Sequence, residues 1–184
     1  MDARDEEDWA EALDGDPVAF AALFDRHHHR IRRHSLRLTP THSDADDIVA
    51  IVFLEAWRHR HSVRFVDGSL LPWLLVTANN TARNLARSSR RYHAALARLP
   101  ATDSYTDPSP PGEGQAETAL RLLPLSDQQV ITLCVIEGLS ESEASTVLSI
   151  PRGTVKSRLS RAKRRLALRV TTERDSSPAE RMAR

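Results

Sequence analysis

The chain alternates between stretches with a helical period and stretches with none. In "DPVAFAALFDRHHHRIRRHSLRL", Phe20, Leu23, Phe24, Ile31 and Leu38 recur at roughly the spacing of one helix face. Asp16 ahead of Pro17 supplies an N-cap followed by proline at the first helical position, where a missing N–H costs nothing. In "SDADDIVAIVFLEAWRHR", Ser43 is placed to cap a second helix. Asp44, Asp46 and Asp47 then fall in its first turn, where the helix dipole favours negative charge. Ile48, Ile51, Val52, Leu54 and Ala56 predict a broad apolar face. "RHSVRFVDGS" reads as a loop, and "SLLPWLLVTANNTARNLARSSRR" as a third helix with Pro72 near its start.

The second half is a run of short helices. "AETALRLLP" ends at Pro124, and "SDQQVITLCVIEG" carries Ser126 as N-cap, Gln129 three residues later and Gly138 as its stop. Ser140 and Glu143 repeat the device in "SESEASTVL". "SIP" then turns the chain into "RGTVKSRLSRAKRRL", so that two short helices meet across a tight turn in a helix-turn-helix pattern. No strand-type alternation stands out, and the expected fold is all-α.

Between Leu99 and Gln115, "LPATDSYTDPSPPGEGQ" has no apolar period and reads as a flexible linker. The expected organisation is an acidic arm at 1–16, a helical domain at 17–98, a linker at 99–115, a helix-turn-helix domain at 116–170 and a tail at 171–184. Arm and linker have the composition of segments that stay unfolded.

Charge sharpens this division. The formal net charge is only +1, yet residues 1–16 hold one basic and eight acidic side chains, while 17–91 hold twelve and six. Residues 119–170 hold nine basic and four acidic. Two basic blocks set between acidic ones point to a polyanion partner more than the total does. No apolar run approaches the roughly 18 to 20 residues of a membrane span, and the acidic N-terminus is unlike a signal or transit peptide, so a cytoplasmic protein is expected. Cys134, the single cysteine, lies in an apolar run and is expected to be a small buried hydrophobe.

From Ser149 to Leu166 there are seven basic residues and no acidic one. On a helical wheel, Val155, Leu159, Ala162 and Leu166 form one buried stripe, and Lys156, Ser157, Ser160, Arg161 and Arg164 lie opposite. Ordinary exposed helices interleave both signs. A helix with this outward chemistry fits the major groove, where Arg or Lys donates to guanine O6 and N7.

These residues carry a resemblance. "LPLSDQQVITLCVIEGLSESEASTVLSIPRGTVKSRLSRAKRRL" resembles the C-terminal promoter-binding domain of bacterial extracytoplasmic-function (ECF) sigma factors of RNA polymerase, with "IPRGTVKSRLSRA" as its core. "DADDIVAIVFLEAWR" and "PWLLVTANNTARNLAR" resemble the family's N-terminal domain, in the right order and at a plausible spacing. Two departures stand out. Ala50-Ile51 replaces the family's usual Gln-Glu, and Ser149 replaces the usual glycine of the turn.

The resemblance implies a sigma factor that binds core RNA polymerase and promoter DNA, both duplex and melted, and that an anti-sigma partner commonly holds. Reading of the −35 element falls to Arg152, Thr154, Lys156, Ser157, Arg158, Ser160, Arg161 and Arg164, with Arg152, Arg158 and Arg164 as phosphate contacts. Capture of the −10 strand falls to Arg64, Phe65, Asn80, Arg83, Asn84 and Arg87. Asp46, Asp47 and Glu55 are implied core-polymerase contacts, while Trp57 and Trp73 are expected in the core. The competing reading is a one-component regulator with the same helix-turn-helix behind a ligand domain, which would need an apolar pocket pattern in the N-terminal block. No phosphate loop or nucleophile constellation suggests an enzyme, and no cofactor is expected. Successive positions of "HHH" point about 100° apart, so His27, His28 and His29 cannot chelate one ion together, and the histidines are expected at the surface without a metal.

Overall fold

The computed structural model describes residues 4–96 and 115–176. Helices α1 (Asp5–Leu13), α2 (Pro17–Leu36), α3 (His42–Arg58) and α4 (Leu71–Leu96) make an N-terminal bundle. Helices α5 (Gln115–Arg121), α6 (Leu125–Ile131), α7 (Glu141–Leu148) and α8 (Arg152–Ser176) make a second unit. A π-helical turn, Thr132–Ile136, extends α6. The fold is all-α, and among the described residues β pairing is confined to one bridge, Val66 to Ser69. The expected linker lies outside the described residues except for Gln115, which opens α5.

Asp16 caps α2 as read, its carboxylate accepting the Val18 N–H at 2.8 Å ahead of Pro17. The α3 cap is Thr41, not Ser43: the Thr41 hydroxyl accepts from the Asp44 N–H at 3.0 Å. The helix thus starts at His42, and of the three aspartates only Asp44 sits in its first turn. Ser126 is no cap either, because α6 begins at Leu125 directly after Pro124. The carbonyls around the end of α5 are instead gathered by Gln128, whose Nε2 donates to Leu120, Arg121 and Leu123 at 2.9–3.1 Å. Ser140 and Glu143 form the expected capping box.

The acidic arm is folded over its described residues, from Arg4 onward, contrary to its composition. Trp9 and Ala12 bury one face of α1 against α2, and the Trp9 indole donates to the Arg60 carbonyl at 3.1 Å. The N-terminal core joins Trp9 with Leu23, Ile31, Ile48, Val52, Phe53, Leu70, Leu74 and Leu75. On α3 the buried face is Ala45, Ile48, Val49, Val52, Phe53 and Ala56. Ile51 and Leu54, expected inside, point out. Trp57 is also at the surface, 38% exposed, edge-on to Phe20 and beneath the Arg60 guanidinium. Trp73 does pack against the core.

Two histidines expected at the surface are buried, His27 and His34. Among the described residues no cluster of His, Cys, Asp and Glu has the geometry of a metal site. Cys134 is only partly buried, and that burial pushes its thiol pKa up. No described helix is long and apolar enough to cross a membrane.

Candidate nucleic-acid interface

α7 ends at Ser149, which takes up the left-handed region at φ 53°, ψ 43° and so swings the chain into Pro151 and α8. The Ser145 hydroxyl ties the turn by donating to the Ile150 carbonyl at 2.6 Å. Val155 and Ala162 are fully buried, with Leu159 and Leu166 packed beside them, so the wheel's stripe is the face that anchors α8. Arg152, Lys156, Ser157, Ser160, Arg161 and Arg164 are exposed on the rest of its surface, and Thr154 and Arg158 are half-buried at its edges.

Three contacts distinguish these side chains. Arg152 lies 3.5 Å from Glu141 on α7, so its charge is partly answered within the domain. The Ser157 hydroxyl turns back to donate to the Thr154 carbonyl at 3.0 Å. Arg165, beside the stripe, is spent on structure: it pairs at 2.7 Å with Asp127 of α6, a carboxylate almost wholly buried. Of the residues assigned to the duplex, α8 therefore turns Lys156, Ser160, Arg161 and Arg164 outward as a donor-rich face, with Lys163 also exposed beside them.

In the N-terminal bundle, Asn80, Asn84 and Arg87 are exposed along α4, and Arg83 is half-buried at its side. Asn80 and Asn84, one turn apart, open onto a cleft of about 680 Å³ between α3 and α4, whose walls include Trp73, Thr77 and Arg91. Arg64 projects from the α3–α4 loop, while Phe65 is half-buried and edge-on to Trp9. Asp67, which has a positive φ of 49°, and Gly68 shape the end of that loop before Leu70 opens α4. The structure thus brings the Asn/Arg face and the loop to the same bundle, but Phe65 serves packing as much as exposure.

On α3, Asp46 pairs with Arg32 at 2.6 Å, and Glu55 with Arg58 at 3.0 Å and His59 at 3.2 Å. Asp47 is exposed. The same outer face carries Ile51 and Leu54, which join neither core cluster, and Trp57, partly covered by Phe20 and Arg60. Leu54 and Trp57, with Ala12, Pro17, Phe20 and Phe53, line an apolar groove of about 520 Å³. The pattern reading missed this surface, although the signal was there: α3 is apolar on more sides than one core can cover.

A helix-turn-helix domain whose second helix turns a basic, carboxylate-free face outward, set behind a helical bundle with an Asn/Arg cleft, has the architecture of a transcription initiation factor of the sigma class. The Sigma-70 region 2 family matches residues 23–92, and the Sigma-70, region 4 family matches residues 113–166. The ECF RNA polymerase sigma factor SigM of Mycobacterium tuberculosis is 31% identical over 159 residues, covering 83% of this chain and 78% of that protein. The ECF RNA polymerase sigma-E factor of Escherichia coli is 30% identical over 164 residues, covering 81% and 85%. Among solved structures, CnrH in complex with the cytosolic domain of CnrY superposes with a TM-score of 0.63 at 27% identity, covering 93% of this chain and 99% of that one. The sigma factor RpoE of Bartonella quintana, in complex with the anti-sigma factor NepR, gives 0.54 at 26% identity, covering 78% and 91%. The chain belongs to the ECF sigma factor family.

Proposed function

We propose that this sigma factor binds core RNA polymerase through the outer face of α3 and directs promoter-specific initiation. Its two domains read different forms of DNA. Lys156, Ser160 and Arg161 on α8 present donors to base edges of the −35 duplex, while Arg152, Arg158 and Arg164 hold phosphates and fix the register. Asn80, Arg83, Asn84, Arg87 and the Arg64–Phe65 loop take the melted −10 strand, the amides pairing with a base edge at the α3–α4 cleft. The chain contributes binding and not bond chemistry, with core polymerase as the enzyme.

Core docking uses Asp47 and the apolar trio Ile51, Leu54 and Trp57, with Asp46 and Glu55 exchanging their internal partners for those of the polymerase. Replacement of the family's Gln-Glu by Ala50-Ile51 makes this contact more apolar than the resemblance alone implies. Because the sigma factor RpoE named above is solved in complex with the anti-sigma factor NepR, an anti-sigma partner fits this chain as well.

The observation that carries the reading is the α8 face, held outward by a fully buried Val155–Ala162 stripe. The test is transcription from candidate promoters by purified core polymerase with and without the protein. Sigma-dependent initiation is expected; inability to bind core would end the proposal.

A further inference from the structure

Residues 59–70 join α3 to α4 and carry Arg64 and Phe65, which the preceding section gives to the −10 strand. Regular pairing in this loop is limited to the bridge between Val66 and Ser69. Helix α1 supplies three anchors for it. At the start, the Trp9 indole donates to the Arg60 carbonyl at 3.1 Å. In the middle, the Phe65 ring stands edge-on to Trp9, with centroids 6.5 Å apart. At the end, the Asp5 carboxylate accepts from the Leu70 N–H at 2.8 Å and from the Ser69 hydroxyl at 3.3 Å. Arg64 and Val66, between these anchors, touch the C-terminal unit instead.

The buried residues of α1 are Asp5, Trp9 and Ala12, and the first two spend polar groups on the loop. Asp5 is itself fixed from α2, by Arg26 and by His27 Nε2 at 2.7 Å. The helix has no strand-binding chemistry of its own. Asp5–Leu13 contains no Lys or Arg, and its exposed side chains include Glu6, Glu7 and Glu11, which repel a phosphate backbone. Any effect of α1 on DNA therefore passes through the loop. A loop ordered in advance loses less conformational entropy on binding, and the difference appears as affinity.

We propose that Asp5 and Trp9 are positioning residues for strand capture: they fix both ends of the α3–α4 loop and seat Phe65, so that Arg64 and Phe65 meet the −10 strand already arranged. This rests on the assignment of Arg64 and Phe65 to the strand. The acidic helix is then part of the recognition apparatus without touching DNA.

The full chain is tested bound to core polymerase. Single strands captured from a random 15-mer pool are sequenced, and affinity for the enriched oligonucleotide is measured by fluorescence anisotropy. Amide hydrogen exchange on the free chain reports order in the loop. Trp9→Phe keeps a ring and removes the indole donor. It is expected to speed exchange in the loop but not in α2 or α3, and to weaken strand binding by about fivefold; Asp5→Ala should weaken it by about tenfold. Asp5→Asn loses the charge that faces Arg26 and His27, yet its amide oxygen can still accept from Leu70. It should therefore recover most of the strand affinity despite lower stability, a split that a merely structural role would not produce. Val52→Ala, at a fully buried core position on α3, should lower stability and leave strand affinity alone. An equal loss of affinity in Val52→Ala would overturn the positioning role, as would a loosened loop with unchanged affinity. Unchanged exchange in Trp9→Phe and Asp5→Ala would do the same. Arg64→Ala/Phe65→Ala separates the two readings. If it leaves motif and affinity intact, the loop does not touch the strand and the assignment fails, whatever exchange shows of α1. If it weakens capture while Trp9→Phe and Asp5→Ala do not, the assignment stands and the positioning role falls. No enriched motif with any form overturns both together.

Discussion

Asp5 and Leu70 are 65 positions apart, and the carboxylate of the first accepts the backbone N–H of the second at 2.8 Å. The same oxygen meets His27 Nε2 at 2.7 Å and the Ser69 hydroxyl at 3.3 Å, while the other oxygen pairs with Arg26. One residue of the acidic arm therefore binds α1 to α2 and satisfies a backbone donor at the entrance to α4.

Asp5→Ala should lower stability by about 3 kcal/mol, because it strands a buried imidazole and a backbone N–H and leaves the Arg26 guanidinium with Asp8 alone. Urea denaturation measures this, and a loss well under 1 kcal/mol would make the arm an ornament. Burial by itself raises the Asp5 pKa, but the bonds from His27, Leu70 and Arg26 outweigh it and hold the carboxyl at about 2. A depressed carboxylate stabilises the fold fully above its unfolded value of 3.8 and loses that contribution as pH falls toward 2. The stability gap between wild type and Asp5→Asn should therefore narrow across that interval.

Ser149→Gly should stabilise the C-terminal unit by about 0.5 kcal/mol. The left-handed conformation penalises any Cβ by roughly 1–2 kcal/mol, and part of the relief is returned as extra freedom of the unfolded glycine. Thermal melts would show a small rise in midpoint. Duplex preference should stay the same, because Ser149 contributes a turn and not a contact.

Local rules carried the reading where the determinant is local. The Asp16–Pro17 entry, the Ser140–Glu143 box and the Val155–Leu159–Ala162 stripe each lie within a few turns of helix and stand in the structure as read. Near misses came from a competing start signal close by: Thr41 out-competes Ser43, and Pro124 starts α6 before Ser126 can cap it. Ile51, Leu54 and Trp57 face outward against their apolar character, because hydrophobicity says what prefers burial, not which face finds a neighbour. The arm and the contact between the two units depend on pairs such as Asp5–Leu70 and Asn80–Gln129, separated by 65 and 49 positions, which no periodicity encodes.

Arg161→Ala and Arg165→Ala should separate two uses of charge on one helix. Arg161 faces outward, so its loss should cost about 1–3 kcal/mol in promoter-duplex binding and relax preference at the bases it meets. Arg165 answers the buried Asp127, so its loss should cost about 1–2 kcal/mol in folding stability, with base preference kept. Arg164→Ala should weaken all duplexes alike and lower the salt slope by about one. Binding titrations at several salt concentrations, alongside urea melts, distinguish the three. Loss of base preference in Arg165→Ala at full stability would contradict the assignment.

Acid should loosen the contact between the two helical units through His34. Its imidazole sits on α2 where that helix meets Ile136 and Glu137 of the C-terminal unit, and neither ring nitrogen finds a hydrogen-bond partner with good geometry. Burial first, then the Arg37 charge, lowers its pKa from 6.5 to about 4, against a smaller opposing effect of Asn79. Arg30 and Arg33 face the same space from α2, and Glu137 is the acidic group facing it from across the interface, already paired with Arg30. A histidine with a depressed pKa favours the closed form while it is neutral. Once opened, it takes up a proton below about pH 6.5 that the closed form refuses until about 4. The closed form should thus lose ground as pH falls through that window, by on the order of a hundredfold in the opening equilibrium. Scattering from pH 7.5 to 5 should show expansion in the wild type and a flatter response in His34→Gln, whose amide carries no charge at either end. Equal pH responses in the two proteins would remove His34 from that contact.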